Sequence, residues 1–516
     1  MATENPYWGD FHNNIHHSLL ARIDEIFAAA REHLDFLPIA YYPWEGGLLE
    51  GMRVELQLDA AVAARDWRVV EDACRRFNEP GRFVTFPGYE WHGDRARWGD
   101  HNVFYPREGF PLDDTRDIAD LSAKLRERGG IAIPHHTAYR RAIRGKDWDH
   151  YDPATMPVVE VYSSHGSSEG VGTPVEMHSN SNMGPRTSGG AWLDGLARGY
   201  RLGAIASTDA HGDFAGAWGL GLAGVWAPEL TREAVWEAVV SRRTFAVTRD
   251  RIEVNMTAAG APMGSEAAAS GPVVIEVWAR GLDAVDRIEL IRDGVPVRTH
   301  VASKLWQVRR YAPGDVVRAR LRVQCGWGPP RAYNFPDMEF EWDCRLALSD
   351  GRILGIAPCW TSIGQHIESV ADREAIWKLA TRTRDDSARR SVSEAVVVEV
   401  EAPAAAKLAF ETRGRRLEFA LAEALAGSRV ETFADEGRKL IRDTFGLDPE
   451  RVPDVERISY VSPRVKIARA VPSEAYELKA EFRDEDAGPG EHYYYARVFQ
   501  TQGDCAWTSP VWLRTS

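Results

Sequence analysis

Six side chains able to bind metals or move protons stand just beyond short apolar runs in the first half of the chain. His12 follows Tyr7-Trp8, Glu90 closes the run Arg82–Tyr89, and His135 follows Ile131–Pro134. His165 comes three residues after Pro157–Tyr162, and Asp209 and His211 follow Leu202–Ser207. Imidazoles and carboxylates in one set suit zinc, manganese or iron. An ion of that kind lowers the pKa of a bound water towards about 7 and polarises a carbonyl or phosphoryl oxygen, so the chemistry implied is hydrolysis. Asp209 and His211 are candidates for taking the proton, and His101 and Tyr42 for stabilising the developing oxyanion. Asn14, His17, His136 and His178 are further candidates for metal or substrate contact. Arg140 follows the His135-His136 pair and Arg186 lies in a Ser-, Gly- and Asn-rich stretch; both are candidates for holding a substrate group. Glu160 is expected to orient a histidine through its second ring nitrogen.

These residues need a scaffold that brings distant segments to one point. Of 15 histidines, 12 lie within the first 211 residues, so the scaffold belongs to the first half. There, strand-like runs at Asp35–Tyr42, Arg82–Tyr89, His101–Tyr105, Ile131–Pro134, Pro157–Tyr162, Leu202–Ser207 and Arg243–Thr248 alternate with helical stretches at Gln57–Asn78, Asp117–Arg128, Gly190–Arg198 and Thr231–Ser241. Such alternation predicts β-α units and a mainly parallel sheet. About seven units in 250 residues predict an α/β fold, a distorted (β/α)7 TIM-like barrel, in which residues at the strand ends converge on one mouth.

Beyond residue 250 the texture changes. Runs at Val273–Ala279, Asp286–Arg292, Val317–Val323, Glu339–Leu346, Val396–Val400 and Tyr493–Phe499 alternate with turn residues, and Asp293-Gly294 marks a tight hairpin. Asp372–Ala380 and Glu431–Phe445 read as helices within it. The expected division is a barrel over residues 1–250 and a β-rich, sandwich-like domain with helical insertions over 251–516.

The 516 residues carry 63 basic and 76 acidic side chains, a net charge of −13. That balance offers no basic excess to displace counterions from nucleic acid. No apolar run approaches the roughly 20 residues a membrane span requires. The start lacks the basic and apolar regions of a secretory signal. Five cysteines without close spacing argue against a disulfide framework, and the expected compartment is the cytoplasm. The expected partner is a small-molecule substrate, with a homo-oligomer left open.

The order of these motifs resembles the PHP (polymerase and histidinol phosphatase) superfamily. Asp10-Phe11-His12-Asn13-Asn14 resembles its opening Asp-x-His-x-His, Gly88-Tyr89-Glu90 its Gly-x-Glu, and Asp209-Ala210-His211 its closing Asp-x-His. Pro134-His135-His136 and Glu160-Val161-Tyr162 with His165 resemble the histidine motifs between them. Gly88-Tyr89-Glu90-Trp91, Gly99–Val103 and Ala506–Pro510 are similar to a branch that includes carbaryl (carbamate) hydrolases. Asn14 replaces the second opening histidine, and Ala40-Tyr41-Tyr42 stands where Thr-Asp-His is usual. The resemblance therefore implies a metal-dependent hydrolase with one or two divalent ions, not three. It implies a carbamate, amide or ester substrate, with a phosphoester as the alternative. A non-catalytic module with a decayed site is the rival reading.

Overall fold

The computed structural model describes residues 4–49, 51–177, 186–326, 336–382, 393–451, 458–459 and 461–516. The chain divides into two compact units. One comprises Met1–Gly281, Val285–Ala302 and Leu478–Ser516, and the other Leu282–Ala284 and Ser303–Glu477. The boundary expected at residue 250 is therefore corrected. The second unit is an insertion, and the chain returns to the first unit after it.

In the first unit, seven strands run side by side in the order Thr244–Val247, Leu222–Ala227, Asn5–Gly9, Phe36–Tyr42, Val84–Trp91, His101–Phe104 and Ile131–Pro134. Asn5–Gly9, Phe36–Tyr42 and Val84–Trp91 are parallel. Leu222–Ala227 is antiparallel to Asn5–Gly9, and His101–Phe104 is antiparallel to both its neighbours. Val158–Ser163 and Gly203–Ala206 pair in parallel in a separate sheet, with Gly166–Ser167 at its edge. The expected mainly parallel sheet is thus corrected to two mixed sheets. One reason is local: the connection 92–100 is too short for a crossover helix, so the chain turns straight back as an antiparallel strand. Gly88 permits the close approach, since a Cβ there would lie 2.2 Å from Phe104 Cδ1 and 2.5 Å from the Val103 carbonyl.

Helices cover this core through spaced apolar faces. Ala60–Phe77 buries Ala63, Trp67, Val70, Ala73 and Cys74, and Asp59 caps it by accepting from the Ala61 amide at 2.8 Å. Ile118–Arg128 is capped by Asp117 and stopped by Gly129, whose φ of 68° suits glycine. Cys505–Thr508 pairs with Thr244–Val247, so the C-terminal aromatic stretch extends the first unit's own sheet.

The second unit holds two antiparallel sheets. One orders Arg352–Cys359, Ser393–Pro403, Val316–Gly326, Arg464–Ile467 and Arg429–Thr432; the other His366–Ala371, Glu374–Arg382, Glu339–Leu348, Lys407–Thr412 and Arg415–Ala420. The helix expected at Asp372–Ala380 is a strand, Glu374–Arg382. Its good helix formers are overridden by period-two burial of Ala375, Trp377 and Leu379 between two partner strands. The helix expected at Glu431–Phe445 is shortened to Ala434–Phe445, behind the strand Arg429–Thr432. Among the described residues, no helix is long and apolar enough to cross a membrane.

Candidate metal centre

Asp10 joins the first and last segments of the site. Its carboxylate accepts from the His12 and Thr208 amides at 3.0 Å each, the Thr208 hydroxyl at 2.6 Å and the Gly216 amide at 2.8 Å. The backbone closes the same junction, with the Asn14 amide donating to the Ala210 carbonyl at 2.7 Å and the Ala210 amide to that of His12 at 3.2 Å. Residues nearly 200 positions apart are thereby held in register.

Around this junction, ligating atoms of His12, His135, Glu160 and Asp209 lie within 4.8 Å of one another, all buried. His12 Nδ1 is 2.9 Å from Glu160 Oε2, while its Nε2 is 3.3 Å from Asp209 Oδ1 and 3.5 Å from Glu90 Oε2. Glu90 Oε1 is 3.9 Å from His135 Nε2, and Asp209 Oδ2 is 3.0 Å from His165 Nε2. The His165 Nδ1 meets the Tyr139 hydroxyl at 2.8 Å.

Several of these buried atoms make no hydrogen bond: both ring nitrogens of His135, His12 Nε2, Glu90 Oε2 and Glu160 Oε1. Buried polar atoms are nearly always paired, and a group left bare costs about 1–3 kcal/mol. A divalent cation would use these lone pairs and offset the charge of Glu90, Glu160 and Asp209. The donor set of imidazole nitrogens and carboxylate oxygens therefore fits a transition-metal ion.

The electrostatics agree. Burial opposes charge on His12, yet Asp209 and Glu160 outweigh it and hold the imidazole's pKa well above its usual value. Burial, with the nearby His12 and His136, pushes His135 well below its usual value and keeps it neutral, the form in which imidazole binds metal. Burial raises the Glu160 carboxyl, whereas Asp209 and Glu90 sit well below the carboxylate range because neighbouring histidines outweigh their burial. Asp209 and His136 both have positive φ, 50° and 34°. Strained non-glycine backbone of this kind gathers at functional sites.

An outer group adjoins the cluster. His211 Nδ1 is 2.8 Å from His16 Nε2, and its Nε2 is 3.4 Å from Asn14 Nδ2 and 3.9 Å from Asp209 Oδ1. The Tyr42 ring lies 5.0 Å from His211 and 5.4 Å from His92, while its hydroxyl donates to Glu55 at 2.9 Å. His92 Nε2 meets Glu90 Oε1 at 2.7 Å. The His136 ring sits 4.3 Å from that of His135 and 5.1 Å from that of His165. Asp100 is taken up by Arg95, 3.0 Å from each of its oxygens, with Arg144 and His136 at 3.5 Å.

Three expected residues stand elsewhere. His17 pairs with Asp66 at 2.8 Å and is half-exposed. Side chains alternate along the extended segment, so His16 faces the site and its neighbour turns away. His101 is committed to Lys146 Nζ at 3.0 Å and the Gly99 carbonyl at 3.2 Å, not to the cluster. The Arg186 guanidinium braces its own loop through Thr173 and the Val175 carbonyl. Arg140 is exposed. His178 lies outside the described residues. Conversely, His92 meets Glu90 at the cluster although the sequence did not single it out, and of His16 and His17, the two residues able to replace the missing second opening histidine, it is His16 that reaches His211. Their signal is spacing: His12, Asn14 and His16, and Glu90 and His92, recur at intervals of two.

A family model described as a protein of unknown function (DUF3604) matches residues 213–283. An uncharacterised protein of Chlamydia pneumoniae is 26% identical over 255 residues, which is 45% of this chain and 40% of that protein. An uncharacterised protein of Chlamydia trachomatis is 25% identical over 248 residues, 44% of this chain and 39% of its own. The chain thus spans well under half the length of these curated relatives. A solved two-domain protein from Bacteroides vulgatus, described as containing a predicted PHP-like metal-dependent phosphoesterase, has a TM-score of 0.32 and 11% identity, covering 81% of this chain and 96% of that one.

Proposed function

We propose that the chain is a metal-dependent hydrolase that cleaves a carbamate, amide or ester bond of a small molecule. The observation that carries the reading is His135, fully buried with neither ring nitrogen hydrogen-bonded, among His12, Glu90, Glu160 and Asp209. His12, His135 and Asp209 would hold one ion, with Glu90 beside them at 3.5 Å from His12 and 3.9 Å from His135, and Glu90, His92 and Asp100 offer a second position. When bound, zinc, manganese or iron would supply Lewis-acid polarisation of the substrate oxygen and a water acidic enough to attack near neutral pH.

The chain's own residues supply the rest. Glu160 fixes His12 by accepting from its Nδ1, so that Nε2 points inward. His165, braced by Tyr139, fixes one oxygen of Asp209. Desolvation lowers the pKa of the half-exposed His211, which favours the neutral ring that can accept a proton. Its contact with His16 gives that proton an outward path. Tyr42 stays protonated, since burial and the nearby Glu90 and Glu55 carboxylates raise its pKa, and it presents its ring to His211 and His92.

A carbonyl-type bond is favoured because the guanidinium groups bordering the cluster are already paired. Arg95 and Arg144 bind Asp100 and Glu55, which leaves them poor partners for a phosphate dianion. The test is metal analysis of purified protein combined with carbamate, amide, ester and phosphate substrates. At least one ion per chain and turnover of a carbonyl-type substrate are expected. Phosphate turnover alone would move the proposal to a phosphoesterase. Less than one ion per chain, with no activity gained from zinc or manganese, would leave a binding module with a decayed site.

A further inference from the structure

Alternation along two strands of the second unit brings two of the five cysteines together. In Val316–Gly326, the residues Val317, Ala319, Leu321, Val323 and Cys325 share one face, and all are buried. In Glu339–Leu348, Trp342, Cys344, Leu346 and Leu348 do the same, while Glu341 and Asp343 on the other face are exposed. The two strands belong to different sheets. Their inner faces meet at the sulfurs, with Cys325 Sγ 3.8 Å from Cys344 Sγ, 19 residues further along the chain. The Thr412 hydroxyl oxygen is 3.7 Å from Cys344 Sγ.

The other cysteines are kept apart from this pair. Cys359 and Gln324 both lie opposite Ala395, whereas Cys325 lies opposite Glu394. Opposed residues share a face, so Cys359 projects from the other side of the sheet. Cys74 and Cys505 belong to the first unit. All five are free thiols. Closing 3.8 Å to the S–S distance of a disulfide asks the sulfurs to approach by less than about 2 Å, a shift that rotation about two Cα–Cβ bonds can supply. A cleft of about 470 Å³ is lined by Cys344, Trp377, Thr412 and Arg413, which gives a small reagent an approach on the Cys344 side. Burial, with Cys344 beside it, pushes the Cys325 thiol well above its usual value, so it is a poor nucleophile towards reagents in solution. Proximity offsets this for one target, the adjacent Cys344 sulfur.

We infer that Cys325 and Cys344 are a site of reversible oxidation, which forms a disulfide across the two sheets by exchange with a low-molecular-weight disulfide. The Cys344 thiolate attacks one sulfur of that molecule, its S–S bond breaks and one thiolate leaves. Cys325 then attacks Cys344 Sγ and displaces the second thiolate. Each protein thiol gives up a proton and each leaving thiolate takes one, so two thiols are oxidised and one small disulfide is reduced to two thiols. The new bond restricts the unfolded chain and stabilises the second unit. Reduction restores both thiols, so the stability of this unit follows the thiol–disulfide balance around it.

The test incubates the full-length chain with excess glutathione disulfide at neutral pH until the yield is constant. The chain is then alkylated and digested without reductant, and linked peptides are identified by mass spectrometry. The expected product is a Cys325–Cys344 link in more than about half of the chains, at least about tenfold above any other pair. Dithiothreitol should return both thiols. Cys359→Ser should leave the link in place, and Cys325→Ser should abolish it with no other pair taking over. The oxidised chain should resist proteolysis within residues 303–477 to higher urea than the reduced chain. A link in fewer than half of the chains, one formed only in urea, or one in which Cys359 replaces either partner would overturn the inference. A link that leaves the resistance to urea unchanged would overturn the stabilising role. The wild-type link is itself the readout, so the result holds even where a variant fails to fold.

Discussion

His12 gives its Nδ1 to Glu160 Oε2 at 2.9 Å and keeps its Nε2 beside Asp209 and Glu90, at 3.3 and 3.5 Å. One ring nitrogen is spent on orientation so that the other is free for a ligand. Glu160→Gln keeps the shape of the side chain and removes its charge. The expected result is a folded protein whose zinc affinity falls about 10- to 100-fold, read by competition with a chromogenic chelator. Unchanged affinity would show that His12 needs no such partner.

Asp209 combines a carboxylate within the buried His12, His135 and Glu160 cluster with a φ of 50°. Asparagine tolerates the left-handed region better than other non-glycine residues, so Asp209→Asn is expected to keep the fold while removing the negative ligand. Turnover should fall at least about 100-fold, with the melting temperature of the apo-protein within a few degrees of wild type. Asp209→Ala adds backbone strain of about 1–2 kcal/mol and should melt lower. Full activity in the asparagine variant would place the chemistry elsewhere.

Gly88 lies under the Phe104 ring and the Val103 carbonyl. Gly88→Ala forces apart the pairing of Val84–Trp91 with His101–Phe104, two residues before Glu90. A stability loss of about 1–3 kcal/mol is expected in urea titrations, together with weaker metal binding. A neutral result would mean that the strands separate more readily than their packing implies.

In the second unit, Glu399 accepts from Arg318, from Arg320 at 2.8 and 3.0 Å and from the Tyr476 hydroxyl at 3.0 Å. Burial opposes its charge, but the two guanidinium groups outweigh it and hold the carboxyl below its ordinary 4.5. A depressed carboxylate stabilises the fold fully above its unfolded value, and the contribution is lost as pH falls through the folded value. Glu399→Gln should therefore cost on the order of 2 kcal/mol at pH 7 and progressively less below about pH 4.5, measured by denaturant unfolding across pH. A cost independent of pH would assign the effect to packing.

Glu90, His135 and Asp209 were legible in the sequence because each stands at or within three residues of the end of a short run rich in apolar residues, and a buried strand delivers its last residues to one edge of the sheet. His92 was hidden by its neighbour Glu90, although the interval of two that links them carried the information, and the same interval from His12 chooses His16 over His17. The same alternation separates Tyr42, which faces the site, from Tyr41, whose hydroxyl binds Asp66 at 2.7 Å beside His17. The ribbon Trp44–Gln57 could not be read, since Gly46-Gly47 and the short runs around it break any period. The strand Glu374–Arg382 was concealed by helix-forming residues, whose preference yields to two flanking strands that the local sequence does not contain.

The pairing of Phe245 with Thr508 and of Val247 with Ala506 also has a temporal side. On a ribosome, Thr244–Val247 emerges more than 250 residues before its partner, and the whole inserted unit is made in the interval. For that time one edge of the first unit's sheet stays open, and open edges recruit other strands. The nascent chain is therefore most exposed to aggregation while the second unit is being synthesised. That unit also joins distant strands, Val323 with Ile467 among them, so its own sheet waits for its last residues and the exposure is not shortened.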